Sequence, residues 1–108
     1  MKMIKAIVRP EVYYAVQEAL DKKGFGSMSR ISVLGRGKQR GLKVGSTYYG
    51  EIPKEEVFIV CEDKDVDTIT STIVSIARSG DEGAFGDGKI FIVPVERAIT
   101  ISSGKEEL

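Results

Sequence analysis

Apolar residues recur along this chain with two alternating spacings. A spacing of two, or a short continuous apolar run, occurs over residues 2–8, 27–34, 57–61 and 90–95, which is typical of β-strands. A helical spacing follows the first and the third of these segments, at Val12, Ala15, Val16, Ala19 and Leu20 and then at Val66, Ile69, Ile73, Ile76 and Ala77. The pattern therefore predicts the order strand, helix, strand, strand, helix, strand.

Local signals support this order. Pro10 suits the first turn of the first helix, and Gly24 is placed to end that helix. The acidic residues within 62–65 can cap the start of the second helix and interact favourably with its dipole. Two strand–helix–strand units in 108 residues predict a single domain, residues 1–108, with an α+β fold. The arrangement expected is the ferredoxin-like βαββαβ sandwich.

The third and fourth strands are apolar at successive positions, as VFIVC (residues 57–61) and IFIV (residues 90–93). In a sheet that helices cover on one face, we expect apolar and polar residues to alternate. The second apolar face must therefore meet another subunit or stay exposed at a cost. We infer a homo-oligomer closed by symmetry; the alternative is an isolated apolar strand that remains exposed.

A long glycine-rich segment separates the second and third strands, from residue 35 to residue 54. It reads GRGKQRGLKVGSTYYGEIPK and contains four bases and no acid before Gly50. It shows no sustained helical or strand spacing. A loop of this length in a compact domain is usually functional. The alternative is a solvated hairpin tip that points its basic side chains outward.

A second glycine-rich loop reads GAFGDGK over residues 83–89. It matches the first part of a P-loop, G-x-x-x-x-G-K, but Ile90 stands where a Ser or Thr would hold Mg²⁺, and the loop follows a helix instead of preceding one. We therefore reject a P-loop. Converging backbone N–H groups and Lys89 can still hold an anion. The alternative is an ordinary turn whose glycines supply positive φ.

Composition narrows the function further. The chain has 16 bases and 16 acids, so its net charge does not indicate a polyanionic partner, and we expect no nucleic acid. The absence of histidine removes most metal-site and triad chemistries, which makes an enzyme the least favoured class. The single cysteine, Cys61, is expected to be buried in the core of a cytoplasmic protein. No apolar run is long enough for membrane insertion.

Four motifs in order resemble the PII nitrogen-signalling proteins, over residues 1 to about 104: MKMIKAIVRP, GRGKQRG, PK at Pro53 and Lys54, and GDGKIF. The resemblance implies a trimer of ferredoxin-like subunits with ATP or ADP in the clefts between subunits. It implies that 2-oxoglutarate binds through Mg²⁺-ATP at the base of a mobile T-loop, here residues 37–53. It also implies a sensor of energy and of carbon and nitrogen status that docks on protein targets and is not a metabolic enzyme.

The resemblance assigns roles to individual residues. Those expected at the nucleotide are Ile7, Ser29, Gly35, Gly37, Lys38, Gly86, Asp87, Gly88 and Lys89. Those expected at 2-oxoglutarate are Gln39, which would also ligate Mg²⁺, Gly41 and Lys54. The residues expected to dock on a target are Arg40, Lys43, Tyr48 and Tyr49. An amide oxygen suits Mg²⁺, and an ammonium suits a carboxylate.

The chain also departs from the family pattern. Thr100 and Ser102 stand where arginines usually contact the nucleotide, and Asp81 and Glu82 lengthen the phosphate loop and are expected to repel phosphates if they face them.

The short T-loop with its paired tyrosines resembles the nitrogenase-associated NifI branch. This implies nitrogenase as the target and a second NifI-type subunit in a mixed oligomer. Two alternatives remain open: regulation of an ammonium transporter, and a PII-like interaction protein with weakened nucleotide sensing.

Overall fold

The computed structural model describes residues 1–36, 42–44 and 47–108, and for 42–44 and 47–49 it describes the backbone. The strands are β1 (Lys2–Val8), β2 (Ser29–Gly35), β3 (Leu42–Val44), β4 (Thr47–Tyr49), β5 (Ile52–Cys61) and β6 (Gly88–Pro94). The helices are α1 (Tyr13–Lys22) and α2 (Val66–Ala77), each preceded by a 3₁₀ turn, Pro10–Val12 and Asp63–Asp65.

Four strands form one sheet in the order β2-β5-β1-β6, and all three pairings are antiparallel. With α1 and α2 this is the predicted ferredoxin-like α+β arrangement. No helix in the described part of the chain has the length and apolar character needed to span a bilayer.

The loop between β2 and β5 differs from the expectation of a segment without strands. It contains a two-stranded antiparallel ladder in which β3 pairs with β4, Leu42 standing opposite Tyr49. The strand β5 also begins at Ile52, five residues before the predicted start, because it pairs with β2 as far as Gly35. Pairing across the sheet has overridden the polar character of residues 54–56.

The core lies between the two helices and one face of the sheet. Alternate residues of β1 and β5 are buried there, and side chains of both helices pack against them. Its members include Ile4, Ala6, Val8, Val16, Leu20, Ile59, Cys61, Ile69 and Ile73. The burial predicted for Cys61 is confirmed, and desolvation, followed by the charge of Asp65, raises the pKa of its thiol. A raised pKa disfavours the reactive thiolate.

The other face of the sheet, which we call the open face, is not covered by either helix. Strand register places Ile31, Phe58 and Phe91 on it, together with Val33, Val60, Val93 and Ile7. Ile31 and Phe91 are each 47 % exposed. The sequence predicted that the helices would cover only one face of the sheet and leave a second apolar face uncovered. In the single chain this prediction is confirmed.

We expect the open face to be buried between three chains, giving a particle of about 35 kDa, three times the chain mass of 11.8 kDa. The substitution Ile31→Lys should shift the mass toward that of one chain because it places a charge at an apolar interface. Since Glu56 stands opposite Ile31, the new ammonium has a carboxylate partner and the subunit should still fold. Multi-angle light scattering measures the mass.

The matched control is Ile76→Lys, which places the same charge at an exposed position of α2 and should leave the mass unchanged. A wild-type protein that scatters as a 12 kDa monomer at micromolar concentration would contradict the assembly inferred from the open face.

Candidate functional site

A cleft of about 370 Å³ opens at one end of the sheet, where β1 and β2 end and β5 and β6 begin. Its lining residues come from these strand ends and from the loop before β6: Ile7, Gly35, Arg36, Ile52, Lys54, Phe85, Gly86, Gly88, Lys89 and Phe91. The register places Lys54 and Lys89 on the open face, opposite Val33 and Ile7. The cleft is thus continuous with the apolar surface that is expected to contact another subunit.

The charge of this cleft is one-sided. Of the described residues that line it, Arg36, Lys54 and Lys89 are cationic and none is acidic. Asp81 and Glu82 are exposed and do not line it. Concentrated positive charge beside glycine backbone is suited to phosphate or carboxylate groups. The arrangement can therefore bind an anion, and the repulsion expected from the two acids does not arise within the cleft of a single chain.

Gly88 allows β6 to approach β1 closely at this end of the sheet. Its φ is +118°, and a Cβ built there would lie 1.8 Å from the carbonyl oxygen of Ile7. Gly35 has a related role on the other side, since a Cβ there would lie 3.3 Å from Cγ of Lys54. These two predicted residues shape the cleft by leaving room for the neighbouring backbone and side chain.

Asp87 organises the loop and does not present its side chain to the cleft. Its carboxylate accepts hydrogen bonds from the backbone N–H of Ser79 (2.9 Å), from Oγ of Ser79 (2.5 Å) and from the backbone N–H of Ala84 (2.8 Å). The Ser79 bonds, then the Ala84 bond, lower the pKa of this carboxyl to about 2. The charged form is thus stabilised in the folded state. This stabilisation is complete above pH 4 and is lost as the pH falls toward 2.

Lys54 connects the base of the T-loop to the phosphate loop. Its Nζ donates to the backbone carbonyl of Gly86 at 2.5 Å. An ammonium has three N–H donors, so one is directed at the protein and others are available to an anion. The contact holds a cation in the wall of the cleft before any ligand arrives.

The structure brings together six of the predicted site residues at this cleft: Ile7, Gly35, Lys54, Gly86, Gly88 and Lys89. Ser29 lies at the opposite end of β2 from Gly35, so its predicted contact with a nucleotide requires the cleft of a neighbouring subunit. Gly37, Lys38, Gln39, Arg40 and Gly41 lie outside the described residues. The backbones of Lys43, Tyr48 and Tyr49 lie on the β3–β4 ladder.

Four lining residues were not predicted as ligand contacts: Arg36, Ile52, Phe85 and Phe91. Arg36 and Phe85 lie inside the two glycine-rich motifs, so their positions in those motifs were a usable signal. Phe91 ends the GDGKIF motif and Ile52 lies in the segment 35–54, but their places in the cleft depend on strand register, which sets Phe91 opposite Lys5 and Ile52 opposite Gly35. Register between distant strands is not visible in a single sequence.

A four-stranded antiparallel sheet under two helices, with a cationic glycine-lined cleft on its open face, defines a ferredoxin-like subunit that can bind anions. The chain belongs to the P-II family: residues 1–105 match the family described as "Nitrogen regulatory protein P-II". This is a family of regulatory signalling proteins that form trimers, bind protein targets and generally bind ATP or ADP and 2-oxoglutarate.

Relatives identify the branch. The chain is 47 % identical over 108 residues, all of both chains, to "Nitrogen fixation nifHD region GlnB-like protein 1" of Methanothermobacter marburgensis. It is 43 % identical, again over all of both chains, to the nifHD2 region GlnB-like protein 1 of Methanosarcina barkeri. It is 41 % identical to "Nitrogen regulatory protein P-II 2" of Methanothermobacter thermautotrophicus, over 97 % of this chain and 92 % of that one. The predicted resemblance to the NifI-like branch is confirmed.

We expect Gly88→Ala to lower the free energy of unfolding by roughly 4 kcal/mol, since a strained positive φ and an overpacked contact each cost about 2 kcal/mol. The new Cβ would overlap the Ile7 carbonyl oxygen unless β6 moved away from β1. Urea denaturation followed by circular dichroism measures the change.

Gly80→Ala separates the two causes. Gly80 also has a positive φ, +63°, but an added Cβ would have no atom within 4 Å. It should therefore cost only the backbone strain, roughly 1–2 kcal/mol. Equal destabilisation by the two substitutions would show that the close approach to Ile7 contributes nothing.

Proposed function

We propose that this chain is a P-II-type sensor subunit that binds ATP or ADP together with 2-oxoglutarate and regulates nitrogenase by docking through its T-loop. The observation that carries the proposal is the meeting of Lys54, Lys89 and Arg36 with glycine backbone in one cleft that no described acid lines. Both effectors are polyanions, and this cleft matches their charge.

The nucleotide phosphates would bind beside Lys89 and the backbone of the phosphate loop, residues 83–89. Asp87 supports this by fixing the loop through Ser79 and Ala84, so that the glycines are held in place before a ligand binds. Ile7 and Phe91 supply the apolar part of the lining, which suits a base or ribose. Completion of the site by a second subunit is supported by the position of the cleft on the open face.

The 2-oxoglutarate would bind at the base of the T-loop, with Lys54 opposite one carboxylate. Mg²⁺, when bound, would supply a charge able to bridge phosphate and keto-acid oxygens, with the amide oxygen of Gln39 as its protein ligand. Support comes from Lys54, whose ammonium already lies in the cleft against the Gly86 carbonyl.

Nitrogenase is proposed as the target because the similar proteins are named for the nitrogen fixation nifHD region. Docking would use Arg40, Lys43, Tyr48 and Tyr49, and the assembly would be a homotrimer or a mixed oligomer with a second P-II-type subunit. The chain would act as a regulator and not as an enzyme.

We expect Lys54→Met to weaken 2-oxoglutarate binding about 10–100-fold while ATP binding changes less than threefold. The lysine supplies a charge-assisted hydrogen bond, which contributes roughly 1.5–3 kcal/mol, and methionine keeps most of its length without the charge. Isothermal titration calorimetry with saturating Mg²⁺-ATP measures the first affinity, and titration with ATP alone measures the second.

Two controls accompany this variant. Lys89→Met should weaken the binding of ATP itself, which separates the role of Lys89 at the phosphates from that of Lys54 at the carboxylate. Lys22→Met removes an exposed lysine of α1 that pairs with Glu18 and should change neither affinity. Unchanged 2-oxoglutarate binding in Lys54→Met would remove the carboxylate role from Lys54.

A second candidate function is a P-II-like interaction protein with weakened nucleotide sensing, and the residues at 100 and 102 favour it. Thr100 and Ser102 carry no charge. The bond from the N–H of Glu107 to the carbonyl of Ala98 joins the ends of residues 98–107, and the bond from the N–H of Gly104 to the carbonyl of Thr100 closes the turn at the tip. Each missing charge-assisted hydrogen bond would make the free energy of ATP binding less favourable by roughly 1.5–3 kcal/mol.

Restoring one cation tests this second candidate. Ser102→Arg should tighten ATP binding at least about tenfold, at 1.4 kcal/mol per decade, as measured by calorimetry. Ser103→Arg, one residue along the same exposed turn, is the matched control for added charge. Wild-type binding at micromolar levels with no gain in Ser102→Arg would show that other residues already supply the charge.

A further inference from the structure

Glu55 is a buried acid immediately beside Lys54 in β5. It is 8 % exposed and lies on the helix-covered face of the sheet, while Lys54 points to the open face because side chains alternate along a strand. A carboxylate is costly to bury unless it is paired and hydrogen-bonded. Its placement directly behind the cleft lysine therefore requires partners of its own.

Those partners both come from β2. Ser32 stands opposite Glu55 and donates its Oγ hydrogen bond to Oε2 and Oε1, at 3.0 and 3.1 Å. Arg30 donates from Nε to Oε2 at 3.1 Å. We call Glu55, Arg30 and Ser32 the Glu55 clamp. It fixes β5 to β2 at the point where the chain returns from the T-loop into the sheet.

Arg30 is itself held from the helical side. Its guanidinium lies 4.3 Å from the ring centre of Tyr13 and 5.6 Å from that of Tyr14. Its Nη1 approaches the hydroxyl of Tyr14 at 3.4 Å. Tyr13 is 6 % exposed at the start of α1. The clamp therefore joins α1, β2 and β5, and cation–π contact with a buried ring restrains the guanidinium.

We propose that Glu55 is a positioning residue: the clamp sets where Lys54 projects into the cleft and thereby the affinity for the carboxylate ligand. A binding group must be held to within about 0.5 Å by supporting residues. Gly35 leaves room for the stem of Lys54 and the Gly86 carbonyl restrains its tip, while the clamp restrains the backbone from which the side chain begins. This inference rests on the proposed function for its ligand.

Glu55→Gln tests the proposal because it keeps the shape and one carbonyl acceptor for Ser32 but removes the charge that holds Arg30. We expect 2-oxoglutarate affinity, measured by calorimetry in saturating Mg²⁺-ATP, to fall about tenfold while affinity for ATP alone changes less than twofold. Arg30→Gln, which changes a partly exposed side chain, is the second variant and should act in the same direction.

A double variant separates positioning from general structure. If Glu55 acts through Lys54, adding Glu55→Gln to Lys54→Met should change 2-oxoglutarate affinity less than twofold further. If Glu55 had only a structural role, Glu55→Gln would lower the stability of the protein and weaken the binding of both ligands to the same extent. Its effect on 2-oxoglutarate affinity would then add to that of Lys54→Met. Either of those results would overturn the proposal.

A ligand-free readout makes failure of this inference distinguishable from failure of the proposed function. The rate at which a small acylating reagent modifies Lys54, followed by mass spectrometry, should rise at least threefold in Glu55→Gln, with the exposed Lys105 as internal reference. Glu18→Gln, which removes an exposed ion pair with Lys22, should leave the Lys54 rate unchanged. Wild-type protein without 2-oxoglutarate binding would refute the proposed function, and an unchanged Lys54 rate in Glu55→Gln would refute positioning.

Discussion

The close approach of Gly88 to the Ile7 carbonyl is the constraint on which the site depends. It lets β6 pair with β1 from its first residue, so that Lys89 emerges on the open face directly opposite Ile7. A side chain at position 88 would push β6 away from β1 and so displace Lys89 from its place in the cleft. A backbone contact between two strands thus determines where one of the cations of the cleft lies.

The one-sided covering of the sheet connects assembly with binding. The same face carries the exposed apolar residues Ile31 and Phe91 and the cationic cleft, which Phe91 also lines. A ligand in the cleft therefore lies next to the surface where a second chain of a P-II trimer is expected. If a neighbouring subunit also contacts the ligand, ligand affinity depends on subunit association. The reverse also holds, because a molecule that binds only the assembled form stabilises that form.

Much of the fold could be predicted from the sequence because spacing reports burial directly. The periods of two and of 3.6 gave β1 and α2 their correct extents and predicted the uncovered face. The early start of β5 and the burial of Glu55 could not be predicted, because both depend on pairing with β2. Likewise the bond between Lys54 and Gly86 joins residues 32 positions apart, and a single sequence does not reveal a contact between residues so far separated.

The hydrogen bonds of Asp87 have a consequence for the entropy of binding. Ser79 and Ala84 are held by one carboxylate from within the same loop, so the loop has lost its conformational freedom during folding. An anion that binds there orders no additional backbone in this segment. The entropy cost then falls on the ligand and on long side chains such as Arg36 and Lys89, at about 0.5–1.5 kcal/mol for each one immobilised. A small metabolite, which offers few contacts, gains most from a loop that is already ordered.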